Sequence, residues 1–127
     1  MMNEFNLNKK YNWETAHNPI VKTYKAILTQ SGTNAPVPTV LVNTLGEGIT
    51  IDWTYSAVGS YVGTLTKGEF DITKTYVQIE AGYYAASYFI FAGVNPASLS
   101  TITVESEDAA AANINIAGTA YVEITIH

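Results

Sequence analysis

The chain has no cysteine, which excludes disulfide stapling, thiol catalysis and cysteine-bound metals together. It has no arginine either: the six basic residues are Lys9, Lys10, Lys22, Lys25, Lys67 and Lys74. Arginine is the planar, bidentate partner of phosphates and base edges, so nucleic-acid recognition loses its usual anchor. Charge of any kind is scarce, at 13% of residues, where a soluble domain carries roughly 25%. No segment approaches the roughly 18 continuous apolar residues of a membrane span. The opening Met1–Lys10 has no apolar stretch after its charges and does not read as a secretory signal. Only His17 and His127 have side chains that ordinarily titrate near neutrality.

What charge there is lies unevenly. Residues 1–25 hold four lysines against Glu4 and Glu14, a net of +2. Residues 26–127 hold Lys67 and Lys74 against nine acids, a net of −7, and the two parts give the overall −5. A body this acidic repels a polyphosphate backbone, so nucleic acid is not an expected partner, and the lack of a long apolar run makes a membrane none either.

With 127 residues, 47% of them hydrophobic, the chain is one domain able to bury a core unaided. Its pattern is that of short strands. Ile49, Ile51, Trp53 and Tyr55 fall on one face of the run Ile49–Ser56, and Thr50, Asp52, Thr54 and Ser56 on the other. Strict alternation marks a half-buried strand. Ala57-Val58-Gly59-Ser60 then reverses the chain into Tyr61–Thr66, which predicts a hairpin. Further strands are expected at Lys22–Thr29, Thr39–Asn43, Tyr76–Glu80, Tyr84–Phe91, Thr101–Glu105, Ile114–Ala117 and Tyr121–Ile126. Tyr88-Phe89-Ile90-Phe91 is apolar on both faces, which suits a central or doubly covered strand. The best helix candidate, Ser106–Ala112, is too short to stand alone and reads as one helical turn or an alanine-rich loop.

About eight or nine short strands without covering helices must bury their faces against each other. The expected fold is therefore all-β, a single antiparallel β-sandwich of immunoglobulin-like or jelly-roll type, with a small barrel as the alternative. Residues 1–21 differ in texture. Asparagines punctuate them, Asn18-Pro19 closes them with a turn signal, and Phe5, Leu7, Tyr11 and Trp13 sit among them without a period. They read as an N-terminal arm that packs on the body or docks on a neighbour, with residues 22–127 as the sandwich. Phe5, Tyr11 and Trp13 are then the candidate assembly anchors, aromatics being favoured at interfaces.

Chemistry is hard to find in this sequence. Neither histidine lies near a Gly-x-Ser-x-Gly elbow, and none exists. Asp52, Glu69 and Asp71 read as acids on a solvated sheet face. Gly46-Glu47-Gly48 lacks the glycine, lysine and helix of a phosphate cradle. Glu105, Glu107 and Asp108 could hold a hard cation in a loop, but the spacing of a dedicated calcium site is missing. The expectation is no enzyme, no catalytic residue, no cofactor and no metal; a hydrolase of cell-wall or capsule polymers is the weakest reading. Nine tyrosines supply surface aromatics, and the pair Tyr83-Tyr84 puts one ring on each face of a strand. Such rings serve subunit interfaces or stack on sugars.

One stretch is distinctive as a string. Tyr24-Lys25-Ala26-Ile27-Leu28-Thr29-Gln30-Ser31-Gly32-Thr33-Asn34-Ala35-Pro36 leads into a short strand and Asn43-Thr44-Leu45-Gly46. The tryptophan strand Ile51-Asp52-Trp53-Thr54, then Tyr61-Val62-Gly63-Thr64-Leu65, and the closing Tyr121–Ile126 follow. Over about residues 22–127 this resembles small β-rich modules of bacteriophage and prophage virion structural genes. The resemblance implies a virion component, such as a capsid decoration, head-fibre or tail-associated subunit, assembled in the host cytoplasm. Its partners would be other virion capsid or tail proteins and further copies of itself, a trimer being natural for a fibre-like element. The alternative is a carbohydrate-binding module that recognises host surface glycans through Tyr83 or Tyr84.

Overall fold

The computed structural model describes residues 21–82, 88–108, 110–116 and 118–127. These residues contain eight strands and no helix: β1 (Lys22–Gln30), β2 (Val37–Asn43), β3 (Ile51–Ala57), β4 (Ser60–Leu65), β5 (Thr75–Ala81), β6 (Tyr88–Val94), β7 (Thr101–Asp108) and β8 (Gly118–Ile126). They form two antiparallel four-stranded sheets, ordered β2-β1-β8-β5 and β3-β4-β7-β6, packed as a β-sandwich. The all-β sandwich expected from the pattern is what the chain forms.

Alternation decides which side chains meet between the sheets. Along β1, Tyr24, Ala26, Leu28 and Gln30 point inward, and along β8 Ala120, Val122 and Ile124 do so. Ile51 and Trp53 of β3, Tyr61 and Leu65 of β4, and Ile102 and Val104 of β7 answer them from the opposing sheet. The expected alternation in Ile49–Ser56 holds, with Asp52, Thr54 and Ser56 outside. The expected hairpin holds too: Ala57 pairs with Ser60 across Val58-Gly59. Gly59 is required there twice over. Its φ is +68°, and a Cβ would lie 2.5 Å from the carbonyl oxygen of Ser106.

Two polar arrangements are built into this apolar interior. The Trp53 indole N–H donates to the Tyr24 hydroxyl at 3.2 Å, a buried link from one sheet to the other. The indole fits because its cross-strand neighbour is Gly63. A Cβ there would sit 2.8 Å from the indole Cζ3 and 2.9 Å from Ile51 Cγ2. The second arrangement surrounds Tyr61, whose hydroxyl accepts the Ile116 N–H at 2.9 Å and lies 3.3 Å from Asn115 Oδ1.

That second arrangement explains a departure from expectation. Ile114–Ala117 does not form the expected strand: Ile114, Asn115 and Ile116 lie outside the strands, and Ala117 is not among the described residues. Only an isolated bridge, Glu107 to Asn113, precedes them. The segment's backbone is satisfied otherwise. Ile114 N–H donates to the Ser106 carbonyl, the Ser106 hydroxyl donates to the Ile114 carbonyl, and Ile116 uses Tyr61. Ser106 accordingly starts no helical turn. It is a buried β7 residue, and β7 runs on to Asp108, whose carboxylate accepts the N–H groups of Ala110 and Ala112.

The strand Tyr88-Phe89-Ile90-Phe91 is also placed differently from expectation. β6 is the last strand of its sheet, and Phe89 and Phe91 project from the outer face, 48% and 54% exposed. Their neighbours across β7, Glu107 and Glu105, are too polar to form a covering layer. No helix among the described residues is long and apolar enough to cross a membrane.

Two outcomes follow for stability. Gly63→Ala forces the indole and Ile51 to shift and costs about 1–3 kcal/mol, read as a lower urea midpoint. Burial pushes the Tyr24 and Tyr61 phenols above the usual tyrosine range, against the hydrogen bonds each accepts. The folded state therefore holds these protons more tightly than the unfolded chain does. Their contribution is complete below the unfolded value of about 10 and is lost as pH rises through the folded values. Ultraviolet titration with parallel denaturation should find both phenols ionising above the usual tyrosine range and stability falling at alkaline pH.

Candidate assembly surface

Edge strand β2 carries the largest concentration of exposed apolar side chains among the described residues. Val37 is 63% exposed, Leu41 53%, Val40 44% and Val42 37%, and Ile27 of the adjoining β1 adds to them. The register shows why both faces are open. Val37 and Val42 pair with Thr29 and Lys25 on the outer face of their sheet, whereas Val40 and Pro38 pair with the inward-pointing Ala26 and Leu28. Val40 thus faces the interior side yet stays exposed, so β2 overhangs the opposing sheet. Leu41 is the extra residue of a bulge that shifts the register between Lys25 and Ala26.

The edge is uncharged along its whole length, although natural edges are commonly blunted by lysine. Two other devices are present, the bulge and Pro38. Thr44 N–H donates to Thr23 O at 2.8 Å, which sets the ladder's phase. Alternation from there, through the bulge, puts Pro38 at a non-hydrogen-bonded position, with its missing donor on the open edge. Simple addition of another strand is therefore handicapped along β2. Contact through side chains is not.

At the end of the sandwich where β1 begins, an opening of about 370 Å³ leads between the sheets. Its floor is Leu45, Ile49, Leu65 and Ile126, and its rim carries Lys22, Lys67, Glu69, Asp71 and His127. Asp71 accepts both the N–H and the hydroxyl of Thr73, which holds its carboxyl below the usual carboxylate range. Its carboxylate is thereby committed to the turn that enters β5.

The residues singled out from sequence fare unequally. Phe5, Tyr11 and Trp13, the expected assembly anchors, lie outside the described residues, as do Tyr83, Tyr84 and His17. Glu105, Glu107 and Asp108 are described, and they belong to strand β7 rather than to a loop. Glu105 and Glu107 face outward beside Phe91 and Phe89, while Asp108 closes the following turn. Among the described residues no group of three or more histidines, cysteines or acids converges as a metal site would. His127 is exposed, its backbone N–H donating to the Lys74 carbonyl.

Sequence reasoning passed over β2 as a surface, although the signal was present. Val-Pro-Thr-Val-Leu-Val lacks the polar alternation of a half-buried strand and contains a proline, which belongs on an edge. No protein-family model, curated protein or solved structure matches the chain.

Proposed function

We propose that the chain is a non-catalytic bacteriophage virion structural protein that works by protein–protein assembly. The observation that carries this reading is β2, an uncharged edge strand exposing Val37, Val40, Leu41 and Val42 across both of its faces. Contiguous apolar surface at a sheet edge marks an interaction site, because a free monomer that kept it open would aggregate. The resemblance of residues 22–127 to virion modules supplies the setting, and a capsid decoration, head fibre or tail-associated subunit fits it.

Under this reading residues 1–21, with Phe5, Tyr11 and Trp13, are the attachment element toward other virion proteins. The β2 surface joins copies of the chain to one another, and the acidic body stays in solvent. Because β2 is built for side-chain contact, the self-association is by packing of Leu41, Val40 and Val37 rather than by a continued sheet.

Sedimentation tests the reading. The full chain should run as a homo-oligomer, and Leu41→Lys combined with Val37→Lys should shift it toward monomer. Both positions are exposed, so folding stability should move by no more than about 0.5 kcal/mol per site. A full chain that stays monomeric at every concentration removes β2 as a self-association surface. Deletion of residues 1–20 should leave a folded domain that no longer joins the particle; normal incorporation would take the attachment role from the arm.

A further inference from the structure

We infer that the outer face of the β3-β4-β7-β6 sheet carries a saccharide-binding notch centred on Gly93, a site separate from β2. The starting point is a glycine with no structural reason to be one. Among the described residues, Gly32, Gly46, Gly48, Gly59, Gly68 and Gly118 have positive φ, and a Cβ at Gly63 or Gly82 would collide. Gly93 has neither property. Its backbone is ordinary strand, and a Cβ would meet nothing within 4 Å. Glycine weakens a strand interior, and where neither a positive φ, crowding nor a bulge accounts for it, the close approach of a ligand or another backbone is the remaining common cause.

The space that Gly93 leaves is real. An open depression of about 340 Å³ lies over it, lined by Phe91, Thr103, Glu105, Asn95 and Pro96. That size is at the lower end of the roughly 300–1,000 Å³ range of small-molecule clefts, enough for one or two sugar rings. Register fixes the arrangement: Gly93 pairs with Thr103 and Phe91 with Glu105, so ring, hydroxyl and carboxylate stand around the gap on one face. Phe91 is 54% exposed, an aromatic surface offered to solvent. Asn95 Oδ1 is taken by the Ala97 N–H at 2.9 Å, which leaves its amide N–H groups to donate at the rim.

The chemistry of this lining selects the ligand. A pyranose has a C–H face that packs on an aromatic ring and an O–H edge that both donates and accepts hydrogen bonds. Phe91 meets the first requirement, and Glu105, Thr103 and Asn95 meet the second with an acceptor, a two-way hydroxyl and a donor. A basic peptide is the rival, since the described residues of this sheet hold Asp52, Glu105, Glu107 and Asp108 and no lysine. Yet one carboxylate among neutral hydrogen-bonding groups, beside an absent side chain, suits a neutral polyhydroxylated ring better than an ammonium.

Amide NMR of the full-length chain tests this with methyl glycosides of glucose, galactose, mannose and N-acetylglucosamine. A printed array of bacterial polysaccharides serves as a second arm, separating free sugar from surface polymer. At least one pyranoside should shift the Gly93 and Thr103 amides saturably. Gly93→Val, which fills open space on a β-strand and should melt like the parent, should abolish the shifts. Phe91→Ala should weaken binding by about three- to tenfold, and Thr103→Val offers a further variant should Phe91→Ala disturb folding. The inference is overturned if no pyranoside moves these amides, or if binding survives Gly93→Val. It is equally overturned if only a tri-lysine peptide moves them, which would assign the face to a basic polypeptide. None of these outcomes reads the oligomeric state, so the assembly reading stands or falls separately.

Discussion

Across the core the two sheets are held in register by a pairing of large side chains, the Trp53 indole against the Tyr24 hydroxyl, in an interior that otherwise holds aliphatic groups together with Tyr61 and Phe70. A buried indole N–H without a partner costs about 1–3 kcal/mol, so this bond constrains which strand faces which. It also requires Gly63. A tryptophan large enough to reach across the interface needs a flat neighbour on β4, and only the residue without a side chain leaves the room. Three positions on three strands are thus fixed together, and β1 cannot slide against β3 without stranding the indole. Substituting Tyr24 by Phe would retain the shape of the core and orphan the donor.

Once the core is fixed, the outer faces are free to differ, and they do. The β2-β1-β8-β5 sheet carries the Lys25–Glu123 ion pair at 3.8 Å on its outer face, with Tyr121 donating to the same carboxylate. Toward β2 the same sheet turns apolar. The opposing sheet presents hydroxyls at Thr54, Thr64, Thr101 and Thr103, acids, and the two exposed phenylalanines of β6. An apolar edge on one sheet and a polar, aromatic-rimmed face on the other are thus kept apart. They lie on different strands and share no residue.

Much of the fold was legible in the order of residues, because strand alternation is a short-range signal. Ile51-Asp52-Trp53-Thr54 and Tyr121-Val122-Glu123-Ile124 each declare an inside and an outside. The Val58-Gly59 turn was readable from glycine alone. What escaped was long-range. The apolar pattern of Ile114–Ile116 resembles a strand, but its hydrogen bonds go to Ser106 and Tyr61, some 8 and 55 positions away in sequence. No local pattern announces such partners. Phe89 and Phe91 misled for a related reason: composition reports that a strand is greasy, not whether it ends at a sheet's border. The candidate surfaces were the least readable part. Aromatics drew attention to the arm and to Tyr83-Tyr84, whereas Val40, Leu41 and Gly93 acquire meaning only when pairing shows what lies beside them.

The first and last strands lie side by side as antiparallel neighbours, Lys22 opposite Ile126 and Gln30 opposite Gly118. Force applied between the start of β1 and the end of β8 would therefore open their ladder rung by rung from one end, like a zip, instead of loading every bond in shear. A tether drawn taut through both ends would peel this domain apart at low tension. Pulled from one end alone, the same sandwich feels no such tearing.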